Sequence, residues 1–353
     1  MSAAPDMTPA RSPRRVWRSR HLSFTVSPRL VAVTLLLVVL SPALATFAIT
    51  LGRIHIPFAD VMAILSGGGD GGIQQQIVFN IRLPRVLTAI FVGAALGVSG
   101  AVFQSVSRNA LGSPDVIGFT TGAATGALVQ IVFLGGGPLA VALSAVAGGM
   151  LTAATVYLLS IRNGATGGYR LVLIGIGAGA TLTALNGLML VKGDLDNAVA
   201  ANLWLAGSLN ARTWQHVFPV MAGCVVIIPL VGLAAARLAL IEMGDDLAVQ
   251  LGVNVERTRI AMIFCAVLLA GLATGAAGPI AFVALAAPQL VVRLTGSRGV
   301  PVISAAAMGA CLLVLADVLT QIVPVRFVLP IGRMTGIVGG LYFVWLLTRS
   351  RRM

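Results

Sequence analysis

Apolar residues fall in ten runs along the chain, at about 30–51, 84–106, 116–134, 138–160, 170–191, 216–236, 259–276, 279–295, 301–320 and 333–348. Each is close to the roughly 20 residues that carry a helix across a bilayer, and charged or turn-forming residues are confined to the stretches between them. The pattern predicts an all-α polytopic membrane protein of about ten transmembrane helices. Residues 30–353 form a single transmembrane domain, whose one long loop spans about 237–258. Residues 1–29 hold six arginines with several Pro and Ser, and are expected to be a disordered basic tail. A cleaved signal is the competing reading of this end, because Arg14-Arg15 and Ala43-Leu44-Ala45 resemble its marks.

Charge fixes the orientation. With the N-terminus inside, seventeen of the 24 basic residues fall on the inner side and seven on the outer. Inner positions include Arg108, Arg162, Arg170, Arg237, Arg257, Arg259, Arg293 and Arg298, and outer ones Arg53, Arg82, Arg85, Lys192, Arg212, Arg326 and Arg333. Cytoplasmic loops carry such an excess, so both termini are expected in the cytoplasm, which an even number of spans requires. Composition agrees: 58% of residues are hydrophobic and only 10% charged, too few ionisable groups for a water-facing surface. The 41 glycines against 6% aromatics predict closely packed helices. The net charge of +13 is spread between the runs rather than gathered in one patch, so nucleic acid is not an expected partner. Cys224, Cys265 and Cys311 lie inside apolar runs and are expected to be packing residues.

Enzymatic signals are missing. The single lysine, Lys192, stands between Val191 and Gly193, so there is no phosphate-binding Gly-Lys-Ser/Thr loop. His21, His55 and His216 are too far apart in sequence for a helix-spaced zinc pair. Gly175, Gly177 and Gly179 suit close helix packing better than a dinucleotide turn. Asp317 is read as the one carboxylate well inside an apolar run. One carboxylate is thin support for an ion-coupled secondary transporter, the rival class, which usually needs several ionisable groups near the midplane.

A series of local motifs then resembles one family. Ile81-Arg82-Leu83-Pro84-Arg85-Val86-Leu87 is followed by Val92-Gly93-Ala94-Ala95-Leu96, Ser99-Gly100-Ala101-Val102-Phe103-Gln104 and Arg108-Asn109-Ala110-Leu111-Gly112-Ser113-Pro114. Further on come Trp204-Leu205-Ala206-Gly207-Ser208-Leu209, Ala248-Val249-Gln250-Leu251-Gly252-Val253, Gly278-Pro279-Ile280-Ala281-Phe282-Val283, Ala316-Asp317 and Leu329-Pro330-Ile331-Gly332. In this order they resemble the iron–siderophore and vitamin B12 permeases, the FecCD-type membrane subunits of type II ABC importers. The chain departs at Ala110, where the family usually has Pro, and at Val328, where it commonly has an acidic residue.

The resemblance implies a permease half-pore that works with a second, identical or homologous permease chain, two cytoplasmic ATPase subunits and an extracytoplasmic substrate-binding protein. No cofactor is implied in this chain, since ATP and Mg would bind the ATPase partner. The cargo implied is a ferric chelate, above all a ferric siderophore, with haem or vitamin B12 as alternatives. By resemblance, Arg82 and Arg85 would dock carboxylates of the binding protein, with Arg326 and Arg333 on the same rim. The plain alternative is that Arg82 and Arg85 solvate a helix end, with Pro84 opening the helix. Asp245, Leu247, Leu251, Gly252 and Val253 would form the ATPase-coupling element, a short helix capped by Asp245 and bent at Gly252, whose apolar stripe could otherwise lie on the membrane surface. Gly168 and Tyr169 would narrow the cytoplasmic gate. Gly93, Gly97, Gly100, Gln104, Gly207, Ser208 and Asp317 would serve the pathway or helix packing.

Overall fold

The computed structural model describes residues 15–18, 23–52, 54–68, 71–162, 165–166, 168–297, 301–323 and 329–350. Within the basic tail expected to be disordered, β1 (Arg15–Arg18) pairs antiparallel with β2 (Ser23–Val26). The alternation in Val16-Trp17-Arg18 and Ser23-Phe24-Thr25 has the two-residue period of a strand, which a reading based on charge and proline passed over. Ser27 then caps α1 (Pro28–Thr50) by accepting from the Leu30 amide, with Pro28 at the first helical position.

Among the described residues thirteen helices follow, nine on the remaining apolar runs and four, over 58–65, 73–77, 195–205 and 245–250, between them. They are α2 (Phe58–Leu65), α3 (Ile73–Ile77), α4 (Leu83–Ser107), α5 (Phe119–Leu128), α6 (Pro138–Ser160), α7 (Gly168–Lys192) and α8 (Leu195–Leu205), then α9 (Trp214–Glu242), α10 (Asp245–Gln250), α11 (Val255–Ala277), α12 (Val283–Thr295), α13 (Val302–Ile322) and α14 (Ile331–Ser350). Among the described residues, seven helices are long and apolar enough to cross a membrane. The third and eighth runs form shorter apolar helices, Phe119–Leu134 and Val283–Thr295, and the tenth is α14. A 16-residue helix rises only about 24 Å, short of the roughly 30 Å hydrocarbon core, so α5 with its π-helical extension Val129–Leu134 cannot span it upright.

Helix α4 is the axis of the bundle. It continues without a break from α3 through a π-helical turn, Val78–Arg82, giving one rod from Ile73 to Ser107. Pro84 therefore lies inside a helix rather than at its start. It sits just past the π turn, where the shifted hydrogen-bond ladder tolerates a missing N–H. Helices α9, α11, α12 and α13 surround α4. Three glycines allow this approach. Methyl groups at Gly93 and Gly97 would overlap the Gly309 and Ala305 carbonyls of α13, and one at Gly100 would overlap the Ala284 carbonyl of α12. Without a hydrophobic force between helices in lipid, such backbone proximity and its dispersion contacts hold them together. The outward-facing Leu35, Leu36 and Val39 of α1 and Leu173, Ile176 and Leu188 of α7 suit lipid or a second chain. Cys224 and Cys311 are buried, Cys265 is half-buried, and all three are free.

Candidate functional site

Three regions carry polar chemistry, and the first is the outer end of α4. Arg82 is only 8% exposed, and it turns inward to donate to the main-chain carbonyls of Ile49 and Ile54. Helix α1 ends at Thr50, so its last carbonyls lack intrahelical donors. The guanidinium satisfies one of them and complements the negative end of the helix dipole. This corrects the expectation of a docking cation at Arg82.

Arg85 is also engaged. Its Nε donates to both oxygens of Asp317 at 3.1 Å, its Nη2 to Asp317 Oδ1 at 2.7 Å, and its Nη1 to Asn210 Oδ1 at 2.7 Å. Asp317 is 1% exposed and also accepts from Gln321 Nε2 at 3.0 Å. Asp317 is thus the anionic half of an intramolecular fork that ties α4 to α13 and to the 206–213 segment. Nearby, Arg212 donates to the Ser208 carbonyl at 2.9 Å, and burial lowers its pKa from the ordinary value. Arg326 lies outside the described residues.

The second region is a cavity of about 450 Å³ lined by Asp115, Thr120, Thr121, Asn202, Arg333 and the backbone breaks at Ala206, Pro279 and Gly332. Several interrupted elements meet here. After α4 the chain turns back into the bundle, and a 3-10 turn, Pro114–Ile117, leads to Gly118, which packs on Gly175 and Gly179 of α7. Those positions lie about 10–17 Å along α7 from its inner end, at 1.5 Å per residue. Asp115, three residues before Gly118, therefore lies at membrane depth, where its side chain is bonded to the Thr120 hydroxyl and open to the cavity.

Opposite, α8 folds back from the outer end of α7 and delivers Asn202. At its end Gly207 adopts φ +67° so closely packed against Pro279 and Gly332 that a side chain would overlap the Pro279 carbonyl. The Ser208 amide donates to the Ala277 carbonyl at 2.8 Å, so Gly207 and Ser208 hold the wall rather than line it. Arg333, expected on the outer rim, lines this cavity.

Sequence reading placed only Asp317 inside a span and missed Asp115. Hydropathy gives no depth, and the available signal was Pro114 and Gly118 bracketing a carboxylate at the start of the third run. Next to the cavity wall, Asn186 of α7 is buried and joins Thr125 of α5 at 2.7 Å, with a longer 3.4 Å bond to the Thr121 carbonyl.

The third region is the cytoplasmic end. Gln104 donates to the Leu285 carbonyl at 3.0 Å and accepts from Gln289 at 2.8 Å, fixing α12 to α4. Helix α10 is the expected short helix, but its cap is Gly244, and Asp245 makes no capping bond. Asp245 instead receives Arg108 and both of its oxygens accept from Arg259 Nη2 at 3.0 Å. Gly252, φ +82°, makes the expected bend before Asn254 caps α11. Val253 is buried with Ile241, Ala248 and Val255, which anchors the loop. Leu247 and Leu251 remain exposed at 39% and 58%, an apolar stripe facing away from the protein, and Met243 just before α10 is exposed as well. Gly168 and Tyr169 open α7, and their side chains lie outside the described residues.

The model of the FecCD transport family matches residues 35–349. The ferric enterobactin transport system permease protein FepG of Escherichia coli is 43% identical over 327 residues, which cover 93% of this chain and 98% of FepG. The hemin transport system permease protein HmuU of Yersinia pestis is 33% identical, covering 92% and 97%. Among solved structures, an inward-facing conformation of a metal-chelate type ABC transporter superposes with a TM-score of 0.80 at 27% identity, covering 90% of this chain and 99% of that one. With apolar helices packed around a central α4, broken elements lining a membrane-depth cavity and sequence relatives matched along nearly their whole length, the chain belongs to the FecCD transport family, the membrane-spanning permease subunits of ABC importers.

Proposed function

We propose that this chain carries a ferric siderophore across the cytoplasmic membrane as one half of a permease pair driven by separate ATPase subunits. The observation that carries the reading is the near-full-length match to FepG, whose name specifies ferric enterobactin, ten points of identity above the match to the hemin permease. The cavity fits a hydrogen-bonding cargo: Asp115 accepts, Arg333 donates, and Thr120, Thr121 and Asn202 do either. Irregular backbone at membrane depth is tolerated where it lines such a cavity, because water and cargo satisfy its polar groups.

The exposed stripe of Leu247 and Leu251, with the exposed Met243 before it, is the surface offered to the ATPase, and α10 is the coupling helix. Helix burial of this kind on a partner would remove three large apolar side chains from water. Docking of the binding protein falls to Arg85, whose side chain is 22% exposed, since Arg82 is committed to α1 and Arg333 lines the cavity. The assigned cargo is tested by uptake into proteoliposomes holding this chain with its partner permease, ATPase and binding protein. A ferric catecholate or hydroxamate should accumulate, and hemin and cobalamin should not. Preferential uptake of hemin would overturn the cargo while leaving the transporter class intact.

A further inference from the structure

Arg108 stands at the end of α4 with φ +49°, a left-handed conformation that L side chains rarely adopt and that helix ends usually give to glycine. An arginine held there needs a reason in its side chain. The Arg108 Nε donates to the Ile241 carbonyl in the last turn of α9 at 2.9 Å, and its Nη2 is bonded to Asp245 at the start of α10. Asp245 is at the same time gripped by Arg259 of α11, which is 6% exposed. Arg259 Nη1 continues to Glu256 at 3.2 Å, and Glu256 accepts from the Tyr157 hydroxyl of α6. The first turn of the coupling helix is therefore bonded to α4, α11 and, through Glu256, α6. Arg108 is also the first residue of the segment that turns back into the bundle and carries Asp115 to the cavity.

We propose that Asp245, Arg108 and Arg259 form a charge clamp that passes movement of α10 to the segment 109–118, and so to the membrane-depth cavity. The inference rests on the reading of α10 as the ATPase-coupling helix. Arg108 and Arg259 are positioning residues: they act through Asp245 and the re-entrant segment, not on cargo or nucleotide. Two cations on one carboxylate keep the α10 end in register while the ATPase pushes on the apolar stripe. Left-handed Arg108 turns a shift of α10 into rotation of the chain that follows it. The bonds are charge-assisted and include one that engages both oxygens of Asp245, so an uncharged substitute reproduces neither their strength nor their direction.

The test uses the assembled importer in proteoliposomes, with Arg108→Gln and Arg108→Lys compared with wild type. The side chain of Arg108 is 40% exposed, so neither change buries an unpaired charge. Complex assembly and basal ATP hydrolysis should survive, while ferric siderophore moved per ATP falls roughly fivefold or more in Arg108→Gln, the range of ordinary allosteric couplings, and less in Arg108→Lys. A second readout excludes a folding defect. Thr121→Cys, in a chain whose three native cysteines are replaced, reports cavity access through its rate of thiol labelling. With Arg108 present the rate should change when ATP is added; with Arg108→Gln it should not. Wild-type transport per ATP in Arg108→Gln, or an ATP-dependent labelling change that persists in it, overturns the clamp. If Leu247→Glu with Leu251→Glu leaves ATP-driven uptake at the wild-type level, the coupling-helix reading fails instead.

Discussion

Removing the Asp317 carboxylate tests the fork at the outer end of α4. In Asp317→Asn the side chain keeps its shape, but Arg85 loses the anion that accepts three of its close N–O contacts. Breaking a buried ion pair by deleting one partner costs about 3–5 kcal/mol. Arg85 is 22% exposed and keeps Asn210 on Nη1, so solvent and one neutral acceptor offset part of this. The expected loss is about 2–3 kcal/mol, between the deletion of a fully buried partner and that of a surface one. Replacing both partners, Arg85→Met with Asp317→Leu, leaves no unpaired charge and should recover most of it. Equilibrium unfolding in mixed micelles, on both single variants and the double, gives the coupling directly. Single-variant losses that simply add, or an Asp317→Asn change below about 0.5 kcal/mol, would show that the fork contributes no coupling energy.

Other consequences follow from particular contacts. Gly100→Leu would drive a side chain into the Ala284 carbonyl and should separate α4 from α12, seen as loss of a folded, monodisperse chain, whereas Gly177→Ala meets open space and should be silent. Leu247→Glu with Leu251→Glu should leave the chain inserted but abolish co-purification of the ATPase; retained co-purification would remove α10 as its docking surface. Gly252→Ala meets no neighbour but must hold φ +82°, so it should cost roughly 1–2 kcal/mol and loosen the bend, read as faster amide exchange in α10. Arg82→Gln should destabilise the α1–α2 turn, while affinity for the binding protein in correctly folded chain stays unchanged.

Much of this architecture is legible in the sequence, because a bilayer leaves few ways to hide an apolar run. Nine of the ten runs meet their helices within a few residues at the start, and the third begins in the 3-10 turn that leads to α5. The bend at Gly252 and the exposed Leu247 and Leu251 also follow from spacing alone. What the sequence conceals is depth and partner. Residues 116–134 read as one more span, yet their segment starts inside the bundle, and only the packing of Gly118 on α7 shows it. Arg82 and Arg85 read as outer docking or helix-end charges and Asp245 as a helix cap, because their partners, Ile49, Asp317 and Arg259, are brought to them only by helix packing. Helix α8, which delivers Asn202, is too short to read as a span and is broken by Asp196, Asn197 and Asn202, and it is held in place by Gly207 against Pro279.

This permease subunit draws the work of transport from ATP hydrolysed on a separate subunit. That dependence is tested most directly by the uptake of iron-labelled siderophore into proteoliposomes containing the full importer, with ATP enclosed and every ion gradient dissipated. Accumulation should require ATP, the ATPase subunits and the binding protein, with no hydrolysis by this chain alone. Accumulation driven by a proton or sodium gradient in vesicles lacking the ATPase would contradict it.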